Sequence, residues 1–137
     1  MTFLIDVPQS ILNTASRAFR QLNAKTQALP DGGYVLVWQH SASAGAPIRM
    51  PRFDGLGNPA GGEIDIGLTV SLLDIGLNLE GDIAIVAANG PSLSVQFRDG
   101  ADLSSFGTVT ETFGTAINSA QLDATTGADV RVVFTNT

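Results

Sequence analysis

The sequence predicts an all-β protein built from repeated four-stranded antiparallel sheets, propeller-blade-like or β-prism-like, and three observations carry that expectation. First, an acidic or glycine turn opens straight into an apolar, β-branched run three times. Asp31-Gly32-Gly33 precedes Tyr34-Val35-Leu36-Val37-Trp38, Glu80-Gly81-Asp82 precedes Ile83-Ala84-Ile85-Val86, and Gly127-Ala128-Asp129 precedes Val130-Arg131-Val132-Val133-Phe134. Turn residues followed at once by β-formers read as a tight turn feeding a strand. Second, the leading residues Tyr34, Ile83 and Val130 lie 49 and 47 positions apart, a period typical of small all-β units such as propeller blades. Third, 15 glycines and 6 prolines in 137 residues punctuate the chain as often as many short strands require.

Taken in order, Phe3 to Val7 and Gln9 to Leu12 read as two strands. Ala15, Ala18, Phe19 and Leu22 fall at helical spacing, and Asn13 or Thr14 offers a cap. That stripe is only two turns long and runs into a stretch the repeat needs as strand, so a loop or a single helical turn is expected. Asn23 to Leu29 is a first strand ending at the Pro30-Asp31-Gly32-Gly33 turn. Tyr34 to Gln39 is apolar on both faces and therefore central in its sheet. Ile48 to Phe53 is a third strand whose Pro51 marks an edge or a bulge, and Glu63 to Ile66 is a fourth. The order then recurs: Val70 to Leu79, with Leu73, Ile75, Leu77 and Leu79 on alternate positions, then Ile83 to Ala87. Leu93, Val95 and Phe97 share one face of the next strand. Phe97 matches Phe53 at a spacing of 44, Asp99 matches Asp54 at 45, and Gly107-Thr108-Val109 stands where Gly62-Glu63-Ile64 stood. A third round begins near Ile117 and stops after Val130, Val132 and Phe134.

These elements divide one domain into unit 1 over residues 23–66, unit 2 over 67–112 and half a unit over 113–137, with 1–22 supplying the strands that complete a sheet. Three sheets do not close a propeller, which takes four to eight blades. Two solutions follow: two chains close a six-bladed ring, or three sheets pack face to face as a prism. Bare sheet edges invite pairing, so a homo-oligomer is expected, its sheet completed by Phe3, Ile5 and Val7 beside Val130, Val132 and Phe134.

Composition bounds the function. Hydrophobic residues at 44% against 15% charged ones describe a chain able to bury a core. With no cysteine there is neither a disulfide framework nor a thiolate metal site. A net charge of −6, spread along the chain, argues against nucleic acid as partner, since phosphate binding needs clustered Lys and Arg. No apolar run reaches the roughly 18 residues of a membrane span. Met1-Thr2-Phe3-Leu4-Ile5-Asp6-Val7-Pro8 lacks the basic start and long apolar stretch of a signal peptide.

The ordered residues Asn13-Thr14, Gln21, Ala28-Leu29, Asp31-Gly32-Gly33, Tyr34-Val35-Leu36-Val37-Trp38, Arg52-Phe53-Asp54, Gly57 and Gly61-Gly62-Glu63 resemble a tandem unit of large secreted bacterial proteins of the haemolysin-type calcium-binding (RTX) class. The resemblance covers residues 13–66 and fades from 67 to 137. It implies four-stranded blades with an adhesive or spacer role. The chain carries no Gly-Gly-x-Gly-x-Asp nonapeptide, so a calcium roll is not implied.

Candidate sites are few. Asp54 with Asn58, and Asp99 with Asp102, place oxygen ligands on glycine loops that calcium tolerates, although turns use the same residues for their own backbone. Arg17, Arg20 and Lys25 form a basic cluster that reads as a solvated face or as a docking patch for an acidic surface. Tyr34 and Trp38 are core aromatics or sugar-stacking platforms. His40, beside Ser41 and Ser43, lacks a nucleophile elbow. Gly57-Asn58-Pro59-Ala60-Gly61-Gly62 opens no helix and cannot cradle a phosphate as a helix N-terminus does. Asp65, Asp74 and Asp82 are carboxylates with nothing in the sequence to converge them. The expectation is a non-enzymatic, cofactor-free module that oligomerises and decorates or extends a larger assembly. A phage virion accessory protein (head decoration, fibre or tail) comes first. A secreted RTX-like adhesin, or a carbohydrate- or calcium-binding module, is the alternative.

Overall fold

The computed structural model describes residues 20–41, 47–67, 71–124, 127 and 129–137. Every regular element among them is a strand: β1 (Arg20–Ala28), β2 (Tyr34–Ser41), β3 (Ile48–Met50), β4 (Arg52–Phe53), β5 (Ile64–Asp65), β6 (Ser71–Leu77), β7 (Ile83–Asn89), β8 (Ser92–Arg98), β9 (Ser105–Thr112), β10 (Ile117–Ala124) and β11 (Val130–Asn136). The protein is all-β. The strands form three antiparallel sheets that close neither a barrel nor a propeller among the described residues. The first runs β1-β2-β3-β5 with β4 also paired to β2, the second β6-β7-β8-β9, and the third β10-β11.

Local chemistry sets these boundaries. The three echoed turns lead into β2, β7 and β11, and Tyr34, Ile83 and Val130 open them. Gly32, Gly81 and Gly127 all have positive φ, at 86°, 90° and 60°, a conformation open to glycine without steric cost. Each hairpin's first strand carries one irregularity, between Leu22 and Lys25 in β1, Leu72 and Asp74 in β6, and Ile117 and Ser119 in β10. Such bulges sharpen local twist.

The sheets stack face to face with the second in the middle. Val35, Val37, Ile48 and Met50 of the first sheet meet Leu72, Ile75, Ile83, Ile85 and Ala87 of the second in one buried cluster. On the other side, Val86, Ala88 and Leu93 meet Ala120, with Val95, Phe113, Ile117, Leu122, Val132 and Phe134 packed against them. Successive β7 residues therefore feed opposite cores, which is why its run is apolar at both parities. The third sheet is tied to β6 as well. The Leu122 N–H donates to Asp74 Oδ2 at 2.7 Å, the Leu79 N–H donates to the Gly127 carbonyl at 3.1 Å, and Gly76 leaves room for Leu122, whose Cδ2 would stand 2.6 Å from a Cβ there.

Several sequence expectations are corrected in detail. The third strand of the first sheet is two pieces, because Pro51 supplies no N–H to the ladder; its carbonyl still accepts from Leu36 N at 3.2 Å. The alternation from Leu73 to Leu79 does not hold. The β6 irregularity spans 73, the strand ends at Leu77, and Leu79 sits in the turn at 65% exposure while Leu72 is buried. Phe97 is not the counterpart of Phe53. Phe53 pairs with Tyr34, and it is Arg98 that pairs with Ile83. Gly107-Thr108-Val109 lies within the last strand of the second sheet, which runs over Ser105–Thr112. Of the helical stripe, Ala15, Ala18 and Phe19 lie outside the described residues, and Leu22 belongs to β1.

Candidate functional site

The polar chemistry of the molecule gathers where the turns of the first two sheets meet. Leu29 N donates to Gly33 O at 2.8 Å and Gly32 N to Leu29 O at 3.1 Å; Asn78 N donates to Asp82 O at 3.0 Å and Gly81 N to Asn78 O at 3.2 Å. The two turns share this pattern but not their anchors. Leu29 is held by apolar burial. Asn78 Oδ1 instead accepts from Glu80 N at 3.0 Å and Asp82 N at 2.9 Å, and its Nδ2 donates to Asp82 Oδ2. Arg52 spans the sheets, donating from Nε to Gly100 O at 2.9 Å and from Nη2 to Asp31 Oδ2. Gly100 also lies close against the neighbouring turn, since a Cβ there would stand 2.8 Å from Gly81 O.

Arg98 enters the same interface from β8. Its Nε donates to Gln96 Oε1, its Nη1 to Leu103 O at 2.6 Å and its Nη2 to Ile66 O at 3.3 Å, while Gln96 Nε2 also donates to Ile66 O. Burial pulls its pKa down from the ordinary arginine value, and the charge of Asp65 opposes that shift. A cavity of about 310 Å³ here is lined by Asp31, Glu80, Asp82 and Asp99 with Leu29 and Pro30. Three of these carboxylates have work within the turns: Asp31 accepts from Gly33 N and Arg52, Asp82 from Asn78, and Asp99 from Ala101 N. The arrangement braces a fold.

The calcium candidates are turned the same way. Asp54 Oδ1 accepts from Leu56 N and Asn58 N, both at 2.9 Å, and Asn58 Nδ2 reaches Oδ2. Asp102 Oδ1 accepts from Ser104 N at 2.8 Å. These bonds hold both carboxyls below the usual range, through Asn58 N first for Asp54 and through the Ser104 side chain first for Asp102. Among the described residues no three His, Cys, Asp or Glu side chains are grouped as a metal site.

The other candidates are scattered. Arg17, Ser43, Phe3, Ile5 and Val7 lie outside the described residues. Arg20 opens β1, and Lys25 is exposed on it, lining a cavity of about 610 Å³ with Asp74, Gln121 and Val133. His40 and Ser41 end β2. Trp38 is 1% exposed, so it offers no stacking face, and among the described residues its buried Nε1 meets no acceptor. Tyr34 stacks on Phe53 with ring centroids 5.0 Å apart. The three carboxylates have separate partners: Asp65 faces Arg49 at 3.8 Å, Asp74 holds Leu122 N, and Asp82 holds Asn78. Val130, Val132 and Phe134 are half-buried on β11, with Phe134 against Phe113 at 4.5 Å.

One surface escaped the sequence reading. Every residue of β9 is exposed, and a groove of about 440 Å³ runs past Phe97, Phe106 and Val109 to Asp129, just before β11. Phe106 and Val109 are 58% and 59% exposed. An aromatic and a valine within a Ser- and Thr-rich strand are the only local signal, because their exposure depends on how many strands the third sheet contains. No protein-family model matches the chain, and no curated protein or solved structure is similar enough to it to count as a match.

Proposed function

We propose that this chain is a non-enzymatic structural module that oligomerises through its sheets and decorates or extends a larger assembly, such as a phage head, fibre or tail. The observation that carries this reading is the contrast between its polar groups and its edges. Asp31, Asp54, Asp82, Asp99, Asp102 and Arg52 are engaged in bracing turns, whereas the strand β9 stands exposed along its full length with Phe106 and Val109 open to solvent. Exposed edges with apolar residues are contact surfaces. The chain's work on this reading is to present sheet edges and faces to neighbours.

The test is association. Full-length protein, added to intact particles purified from the lysate that contains it, should migrate with them through a density gradient and stay behind when the particles are omitted. Protein remaining at the top of both gradients would overturn the virion assignment. A saturable calorimetric heat on titration with calcium would favour the secreted-adhesin alternative.

A further inference from the structure

We infer that the groove along β9 receives an extended segment of a basic partner protein, with its apolar side chains on the floor and its lysines or arginines against the rim. The inference deepens the reading of the chain as a module that decorates a larger assembly, and rests on it.

The floor follows from the pairing of β8 with β9. Val95 lies opposite Val109 and Phe97 opposite Gly107, so all four positions share one face. Gly107 has no side chain to shelter the Phe97 ring, which is left half-buried. A Cβ added at Gly107 would meet nothing within 4 Å, so the space over that part of the strand is open. Phe106 and Val109 flank it at 58% and 59% exposure. Together these residues floor a groove of about 440 Å³, room for a few side chains rather than a domain. Exposed apolar side chains gathered in one concavity mark a contact surface.

The rim is acidic. Asp82 and Asp129 line it, and among the described residues no lysine or arginine does. Asp82 also lines the neighbouring cavity with Asp31, Glu80 and Asp99, which carries the negative charge beyond the groove. Arg52 answers one of these carboxylates, that of Asp31. A cleft lined by one sign of charge focuses its field and draws in the other.

That charge decides the occupant. A second copy brings a net charge of −6 to an acidic rim, and a nucleic acid or an anionic membrane is repelled in the same way. An extended basic segment fits both features. Alternate residues face the floor, and the long stems of the lysines between them bend their charges to the rim. Complementary charge of this kind steers association and rejects like-charged partners.

Titration of the full chain with synthetic peptides tests this. The probe alternates leucine with lysine; one control carries glutamate for lysine, the other serine for leucine. In amide NMR spectra the probe should move the signals of Gly107, Thr108, Val109 and Asp129, and bind at least about tenfold more tightly than either control. Phe106→Ser and Asp129→Lys, each checked for an unchanged melting temperature, should each weaken it about tenfold. Absence of binding, equal binding of the serine control, shifts confined to other residues, or full affinity in either variant overturns the inference. A dimer by light scattering that Phe106→Ser dissolves would place a second copy in the groove and overturn the basic partner. Migration with particles separates this inference from the reading beneath it. Parent and variants migrating alike removes the groove and leaves the module standing, whereas a parent left behind removes the virion assignment while the titration still judges the groove.

Discussion

Arg52-Phe53-Asp54 and Phe97-Arg98-Asp99 close the third strands of the first and second sheets with arginine and phenylalanine exchanged. Phe53 lies opposite Tyr34 and Arg98 opposite Ile83, so the exchange moves each residue type to the other face of its sheet. The first sheet sends Arg52 toward the second, and the second sends Arg98 back toward the first. Both guanidiniums therefore enter one interface, each residue 9% exposed, while Phe53 stacks on Tyr34 and Phe97 lines the groove on the far side. The two arginines are satisfied differently: Arg52 has a carboxylate, whereas Arg98 has carbonyls and an amide. A one-residue transposition thus decides what a sheet interface is made of.

The comparison breaks most severely if the first tripeptide is given the order of the second. Arg52→Phe with Phe53→Arg puts a ring where Asp31 and Gly100 expect a cation and buries an unpaired charge beside Tyr34. A loss above about 4 kcal/mol is expected, read as absence of a cooperative urea transition.

Truncating one arginine at a time sharpens it. Arg98→Ala strands Leu103 O and Gln96 Oε1 in a buried site and leaves Ile66 O to Gln96 Nε2 alone, a loss of about 2–4 kcal/mol. Arg52→Ala should cost less, about 1–2 kcal/mol, because Asp31 is 57% exposed and solvent screens that pair. Equal urea midpoints for the two variants would show that the carbonyl cage around Arg98 has no special weight. The matching turns give a smaller contrast. Asn78→Ala removes the acceptor for Glu80 N and Asp82 N and should cost about 1–3 kcal/mol, and a denaturation midpoint unchanged from the parent would contradict the anchoring described for that turn.

Acidification has the smallest effect. Asp31 is held below the usual carboxylate range, by Gly33 N first and then by the Arg52 charge, and Asp54 by Asn58 N. A depressed folded pKa means the unfolded chain takes up protons first. The stabilisation is complete above about pH 5 and fades as pH falls below the ordinary value near 4. Urea midpoints should be flat from pH 7 to 5 and drop by pH 3, with a smaller drop in Asp54→Asn.

Much of this architecture was legible because it is local. Acid-glycine turns and β-branched runs announce β2, β7 and β11 without reference to anything distant. What escaped depended on partners. The counterpart of Phe53 was misplaced by one residue because register belongs to a pair of strands. Leu79 reads as core by alternation, yet the β6 irregularity at 73 and the strand's end at Leu77 leave it in a turn. Arg98 carries no sign in the sequence that Ile66 would meet it, since that contact joins residues 32 apart in the chain. Trp38 and Tyr34, read as core aromatics ahead of sugar platforms, are taken up by the core and by Phe53.

The placement of β7 between two cores has a dynamic consequence. Its amides can meet solvent only after the packing on both sides has loosened, so they should exchange hydrogen for deuterium more slowly than any others, at a rate set by global opening. Because Ile85 and Val86 are adjacent on one backbone yet serve opposite cores, neither core can melt without disturbing the other's scaffold. The stacked sheets should accordingly lose structure in a single step rather than layer by layer.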